Sequence, residues 1–153
     1  MSAIDAAVTL AEASGWSLTN LQLQKLLYLG QMSYMGAFGG QPIFSEDFQA
    51  WKLGPVLPTV YKIGRDYGSG PVRSLFHKGQ LPAGPARETL LEVYNDLKDK
   101  SAWDLVAITH WQGGAWYKNF SPGSSFTPIP KSDILDEYVA RVAASTPTPA
   151  PAA

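Results

Sequence analysis

The stretch LTNLQLQKLLYLGQMSYMGAFGG, residues 18–40, decides the fold. Thr19 is placed to cap a helix, and Gln22, three residues on, to cap it in return. Leu18 and Leu23 flank them as a hydrophobic staple. The pattern then runs for about five helical turns. Leu23, Leu26, Leu27, Gly30 and Tyr34 share one face, and Leu29, Met32 and Met35 widen it. A helix apolar over most of its girth is central and buried. Gly30 costs about 1 kcal/mol against alanine in a helix interior, and its missing side chain lets a neighbour come close. Gly39-Gly40-Gln41-Pro42 ends the helix.

Other helices are read around this one. Ser2 and Asp5 form a capping-box pattern, and Ile4, Ala7, Val8 and Ala11 follow on one face up to Gly15. Residues 43–53 alternate weakly, with Phe44, Phe48 and Ala50 on one side and Trp51 and Leu53 on the other. They read as one or two short strands turned at Gly54-Pro55. Pro58 opens a helix as far as Tyr67. Residues 71–86 are a loop, and Arg87–Lys98 is an amphipathic helix. Ser101 and Asp104 repeat the capping box before DLVAITHW. Residues 112–130 read as a long aromatic loop, and Ser132 caps a last helix. The expected fold is mainly α: one compact helical domain of about six helices over residues 1–144. It carries a short irregular or β-containing segment near 43–56 and a disordered Pro/Ala-rich tail at 145–153.

Composition narrows the function. The chain has 153 residues, 45% hydrophobic and 16% charged, with a formal net charge of −1. That charged share is lean against a typical value of about 25%, which leaves more neutral surface for a partner. Lys and Arg are scattered singly, so direct binding of nucleic acid is not expected. The absence of cysteine excludes disulfides, thiolate catalysis and cysteine-held metal sites, and fits a reducing cytoplasm. No apolar run approaches the ~20 residues of a membrane span, and MSAIDAAVTL lacks the basic start of a signal peptide. A cytoplasmic protein is expected.

Catalytic signals are sparse. The histidines are His77 and His110. No metal-binding motif, Walker loop or dinucleotide fingerprint appears. Asp104 and His110 lie on nearly opposite sides of a helix, so they make no dyad, and His110 reads better as a helix C-cap. Aromatic residues are the remaining asset. Trp103 reads as core, whereas Trp51 and Trp116, beside Gly and Pro, are open to either core or binding roles.

Three blocks carry a resemblance: LTNLQLQKLLYLGQMSYMGAFGGQPIF, FQAWKLGPVLPTVY and ITHWQGGAWYKNF. Together they resemble the Panacea, or SocA-like antitoxin, domain over about residues 3–142. The family's Leu-Thr and Leu-Gln-Lys-Leu-Leu-Tyr pattern falls on Leu18-Thr19 and Leu23–Tyr28. Its Gly–Pro-Leu-Phe turn falls on Gly40, Pro42, Ile43 and Phe44. Its Ala-Trp-x-x-Gly-Pro-Val-x-Pro block falls on Ala50-Trp51, Gly54-Pro55-Val56 and Pro58, and its Thr-His and Trp on Thr109-His110 and Trp116. The chain departs at Ala115, where the family often has Pro, and at Leu29-Gly30, where it has Tyr-Ala.

The resemblance implies a bacterial or phage antitoxin that neutralises a cognate protein toxin by direct contact; the missing ligand motifs, separately, lead us to expect no metal or cofactor. Some relatives act instead as adaptors that deliver the toxin to an ATP-dependent protease. A small enzyme built on His110 is the remaining alternative. Trp51, Gly54, Pro55, Tyr61, His110, Trp116 and Tyr117 are the expected contact residues, with the 112–126 loop. Thr19, Gln22, Lys25, Leu26 and Tyr28 are expected to be structural. Lys25 is read either as a salt-bridge partner of that surface or as a solvated helix lysine.

Overall fold

The structure is a computed structural model that describes residues 1–76, 79–123 and 126–145. His77 and residues 146–153 of the expected tail lie outside them. Seven α-helices are formed among the described residues: α1 (Ala3–Ala13), α2 (Asn20–Ala37), α3 (Pro58–Gly64), α4 (Pro85–Leu97), α5 (Ala102–Thr109), α6 (Ala115–Asn119) and α7 (Lys131–Ser145). A 3-10 turn, Arg65–Tyr67, extends α3. Three short strands, β1 (Gln49–Trp51), β2 (Gly54–Val56) and β3 (Thr127–Pro128), form an antiparallel sheet in the order β2-β1-β3. Gln49 faces Val56 on one side and Pro128 on the other.

The helix starts follow the capping chemistry of the sequence. Ser2, Thr19 and Ser101 each accept the backbone N–H three residues on, and the side chains of Asp5, Gln22 and Asp104 return the bond. α2 is the central helix, packed by α1, α3, α4, α5 and α7. Leu23, Leu26, Leu27 and Tyr28 are fully or almost fully buried. Gly30 sits under Leu90 of α4: a Cβ there would lie 2.5 Å from Leu90 Cδ1. The missing side chain therefore sets how closely α2 and α4 approach.

Several expectations are corrected. The hairpin turns at Lys52-Leu53, and Gly54-Pro55 belongs to β2, because the sheet pairs Trp51 with Gly54. The segment 112–130 is not one loop. Gly114 opens α6, and β3 adds to the sheet through β1. α7 starts at Lys131, so Ser132 lies inside it. Trp103 is 66% exposed, since the first turn of α5 stands clear of the core that buries Leu105, Val106 and Thr109.

A buried carboxylate closes the bundle. Glu137 on α7 is 1% exposed. Its Oε1 accepts hydrogen bonds from Tyr28 Oη (2.8 Å) and from the Ala115 backbone N–H (2.8 Å). Its Oε2 accepts from Arg141 Nε at 2.8 Å, and Arg141 in turn donates to the Ile108 carbonyl. One side chain thus joins α2, α6 and α7, and through Arg141 reaches α5. Burial, followed by the neighbouring Glu137 charge, pushes the Tyr28 phenol above its ordinary range, so it stays a donor.

Glu137→Leu would strand the Tyr28 hydroxyl, the Ala115 N–H and the Arg141 guanidinium together. It is expected to cost about 3 kcal/mol or more, read as a lower urea midpoint with unchanged m-value. A loss under about 0.5 kcal/mol, the usual range of surface changes, would show that the network is incidental.

Candidate functional site

Three polar side chains from the middle of α2 point into the protein rather than out of it. Gln24, Lys25 and Gln31 are each at most 1% exposed. Each holds backbone belonging to the segment that follows the helix. The Ile43 N–H donates to Gln31 Oε1 (2.8 Å), while Gln31 Nε2 donates to the Phe44 carbonyl (3.0 Å). The Leu57 N–H donates to Gln24 Oε1 at 2.7 Å. Lys25 Nζ donates to the Pro55 carbonyl at 2.9 Å. Lys25 is therefore neither the salt-bridge partner nor the solvated lysine that the sequence offered. Burial pulls its pKa down to about 7.

Gly54 lies in the angle of these contacts. Its φ is +112°, and a Cβ would come within 3.0 Å of Thr109 Oγ1 and 3.1 Å of Lys25 Nζ. Glycine is required twice over, for backbone shape and for space. The late Thr-His pair is thereby packed onto the Gly-Pro strand. His110 caps the C-terminus of α5, as expected. Its ring lies flat on Trp116 at 3.7 Å, and Trp116 stacks in turn on Phe120 at 4.8 Å. Burial first, then the Lys25 charge, lowers the His110 pKa, against a backbone hydrogen bond with Leu53. The imidazole is accordingly neutral at neutral pH. Its Nε2 is buried without a hydrogen-bond partner among the described residues. Neither a carboxylate nor a serine or threonine hydroxyl is bonded to it there, so the arrangement lacks the orienting acid and the nucleophile of a catalytic set.

Trp116 is 7% exposed, and its indole N–H donates to the Trp51 carbonyl at 2.6 Å. Trp51 is half-buried and stands between two edge-on aromatic neighbours. Tyr61 lies at 4.7 Å and Phe126 at 5.1 Å between ring centroids. Trp51 also lines three adjoining grooves. The first, about 510 Å³, runs over Leu21, Val56 and Tyr61; the second, about 630 Å³, over Phe120, Pro122 and Phe126; the third, about 480 Å³, over Pro58, Tyr61 and Phe126. Leu53 and Phe126 are exposed along them, and Tyr117 is exposed edge-on to Trp116.

The structure thus brings all seven expected contact residues into one region but at different depths. Trp51, Tyr61 and Tyr117 reach solvent. Gly54, Pro55 and Trp116 are buried beneath them, with His110 half-buried. The sequence reading missed Gln24, Gln31 and Glu137. A signal existed for the glutamines: they lie seven residues apart, two turns along one face of an otherwise apolar helix.

Residues 23–80 match the family model described as Antitoxin SocA-like, Panacea domain. Antitoxin SocA of Caulobacter vibrioides (strain NA1000 / CB15N) is 33% identical over 110 residues, a match that covers 65% of this chain and 58% of that protein. The match thus takes in a little over half of that relative's length. The second sequence block and all of the first from Leu23 onward fall inside residues 23–80, whereas Leu18-Thr19 precedes them and the Thr109-His110 and Trp116 block lies beyond them. No solved structure matches the chain. The resemblance to the SocA-like family stands on these matches, and the packing of Gly54 against Lys25 and Thr109 shows what joins its blocks.

Two outcomes follow. Gly54→Ala is expected to cost more than about 1 kcal/mol through strain and overlap, measured by urea denaturation; a neutral result would contradict this packing. For Lys25, the folded pKa of about 7 lies below the ordinary lysine value of 10.5. Between these values the unfolded chain holds a proton that the folded chain has released. Stability therefore rises with pH across that window and is lowest below about 7, with a limiting slope of about 1.4 kcal/mol per pH unit. Lys25→Met removes this rise. Parallel curves for the two proteins between about pH 7 and 9 would contradict the buried-amine assignment.

Proposed function

We propose that this chain is an antitoxin that neutralises a protein toxin by direct contact, and that the Trp51 corner is its contact surface. The observation that carries the reading is Trp51 itself. It is a half-buried aromatic shared by three grooves, with its backbone carbonyl and its flanking strand held from beneath by buried side chains. A large aromatic on a rigid support buries much area on association and loses little conformational freedom, which is the make-up of a binding hot spot. The likeness to Antitoxin SocA supplies the class of partner. Trp51, Tyr61, Tyr117 and Phe126 make the contact in this reading. Gly54, Pro55, His110 and Trp116 give the surface its shape from below.

The test is co-expression with the product of the adjoining reading frame, scored by growth and by co-purification. The reading expects that product to arrest growth alone, and this chain to restore growth in a stable complex. Rescue with disappearance of the toxin and no stable complex would instead support a protease adaptor. Trp51→Ala is expected to weaken the complex by about 2 kcal/mol or more, roughly thirtyfold in Kd, with the fold retained. Unchanged affinity would remove Trp51 from the interface.

A further inference from the structure

We infer that the Trp51 corner receives an acidic segment of its protein partner. Apolar side chains of that segment would seat in the grooves beside Trp51, and its carboxylates would meet Lys52, Lys62 and Arg65. The inference rests on the antitoxin reading only for which protein supplies the segment.

The charged residues that line the grooves have one sign; Asp66, next to Arg65 in the chain, is exposed but lines none of them. Lys52 lines two of the three grooves, and Lys62 and Arg65 line the third. No aspartate or glutamate lines any of them. All three cations are exposed, and none has an ion pair or a side-chain hydrogen bond among the described residues. Two other cations are paired, Lys131 with Asp47 and Arg141 with Glu137. The acidic surface lies on another element: Glu88, Glu92 and Asp96 of α4 recur every four residues and are exposed.

Complementary potential governs the rate and selectivity of association more than raw affinity. A basic rim around an aromatic anchor selects carboxylates set beside apolar groups and repels a basic surface. Bare cations at the rim also keep the exposed aromatics of separate copies apart. Nucleic acid is the other anionic occupant. Tracking a phosphate backbone calls for a continuous basic path, whereas these three cations flank an apolar ridge.

The test uses the full chain and short probe peptides, one alternating Leu with Glu and the other Leu with Lys, followed by tryptophan indole NMR signals. The Glu peptide is expected to perturb the Trp51 signal and to bind about tenfold more tightly than the Lys peptide at low salt, the difference shrinking as salt rises. The charge-reversed variant K52E/K62E/R65E, whose altered side chains hold no structural contacts, should invert that preference. Equal binding of both peptides, or an unchanged preference in the variant, overturns the inference. Tighter binding of oligo-dT than of the Glu peptide overturns it in favour of nucleic acid, and concentration-dependent self-association that blocks the peptide overturns it in favour of a second copy. Failure here with toxin rescue intact removes the acidic segment alone. Lost rescue with the peptide preference intact removes the antitoxin reading alone.

Discussion

A lysine side-chain nitrogen buried beside a proline carbonyl is the contact on which the rest of this molecule is arranged. Lys25 Nζ reaches Pro55 O from the middle of the central helix, out of solvent. Taking an amine out of water is costly, and one hydrogen bond to a carbonyl does not fully offset it, which is why burial moves the proton affinity so far. What the contact gains is position. Pro55 brings no N–H of its own, so its carbonyl is the backbone group through which Lys25 holds β2. Gln24 holds the next N–H along, at Leu57, and Gln31 holds the segment's start at Ile43 and Phe44. The β insertion has only short strands, and short strands of that kind are marginal alone. Here they are pinned to a helix at both ends.

The second anchor, Glu137, works by the same logic on the other side. It fixes α6 by the Ala115 N–H, and α6 carries Trp116, whose indole in turn holds the Trp51 carbonyl. Thus two separate buried polar groups, one on α2 and one on α7, converge on the same hairpin. The consequence is a surface aromatic whose backbone is fixed by the core. A partner meeting Trp51 finds it already placed, so the ordering cost of association is small.

Much of this fold was legible in the residues. Capping boxes at Ser2, Thr19 and Ser101 are local chemistry, completed within four residues, so sequence spacing alone reveals them. The central helix was legible for the same reason: its apolar girth needs no knowledge of neighbours. The aromatic corner was legible only as a set of residues near glycine and proline. Its depth order was not, because whether Trp116 is buried and Trp51 half-buried depends on α6 docking from far along the chain. α6 itself was hidden: Ala115–Asn119 has no side-chain cap and little more than one turn, so only tertiary contact makes it a helix. The role of Lys25 was hidden most thoroughly. A lysine in a helix ordinarily faces water, and its true partner is a backbone carbonyl thirty positions on, which no side-chain pattern announces.

The central claim is that the buried side chains of α2 and α7 hold the corner pre-formed in the free chain. Native-state hydrogen exchange tests it most directly, at the Ile43, Leu57 and Ala115 amides that donate to Gln31, Gln24 and Glu137. The account predicts that these three exchange only through global unfolding, with protection equal to that of the α2 core amides. Exchange at the pace of surface loops, while α2 stays protected, would mean that the hairpin opens by itself and that the surface is shaped by its partner instead.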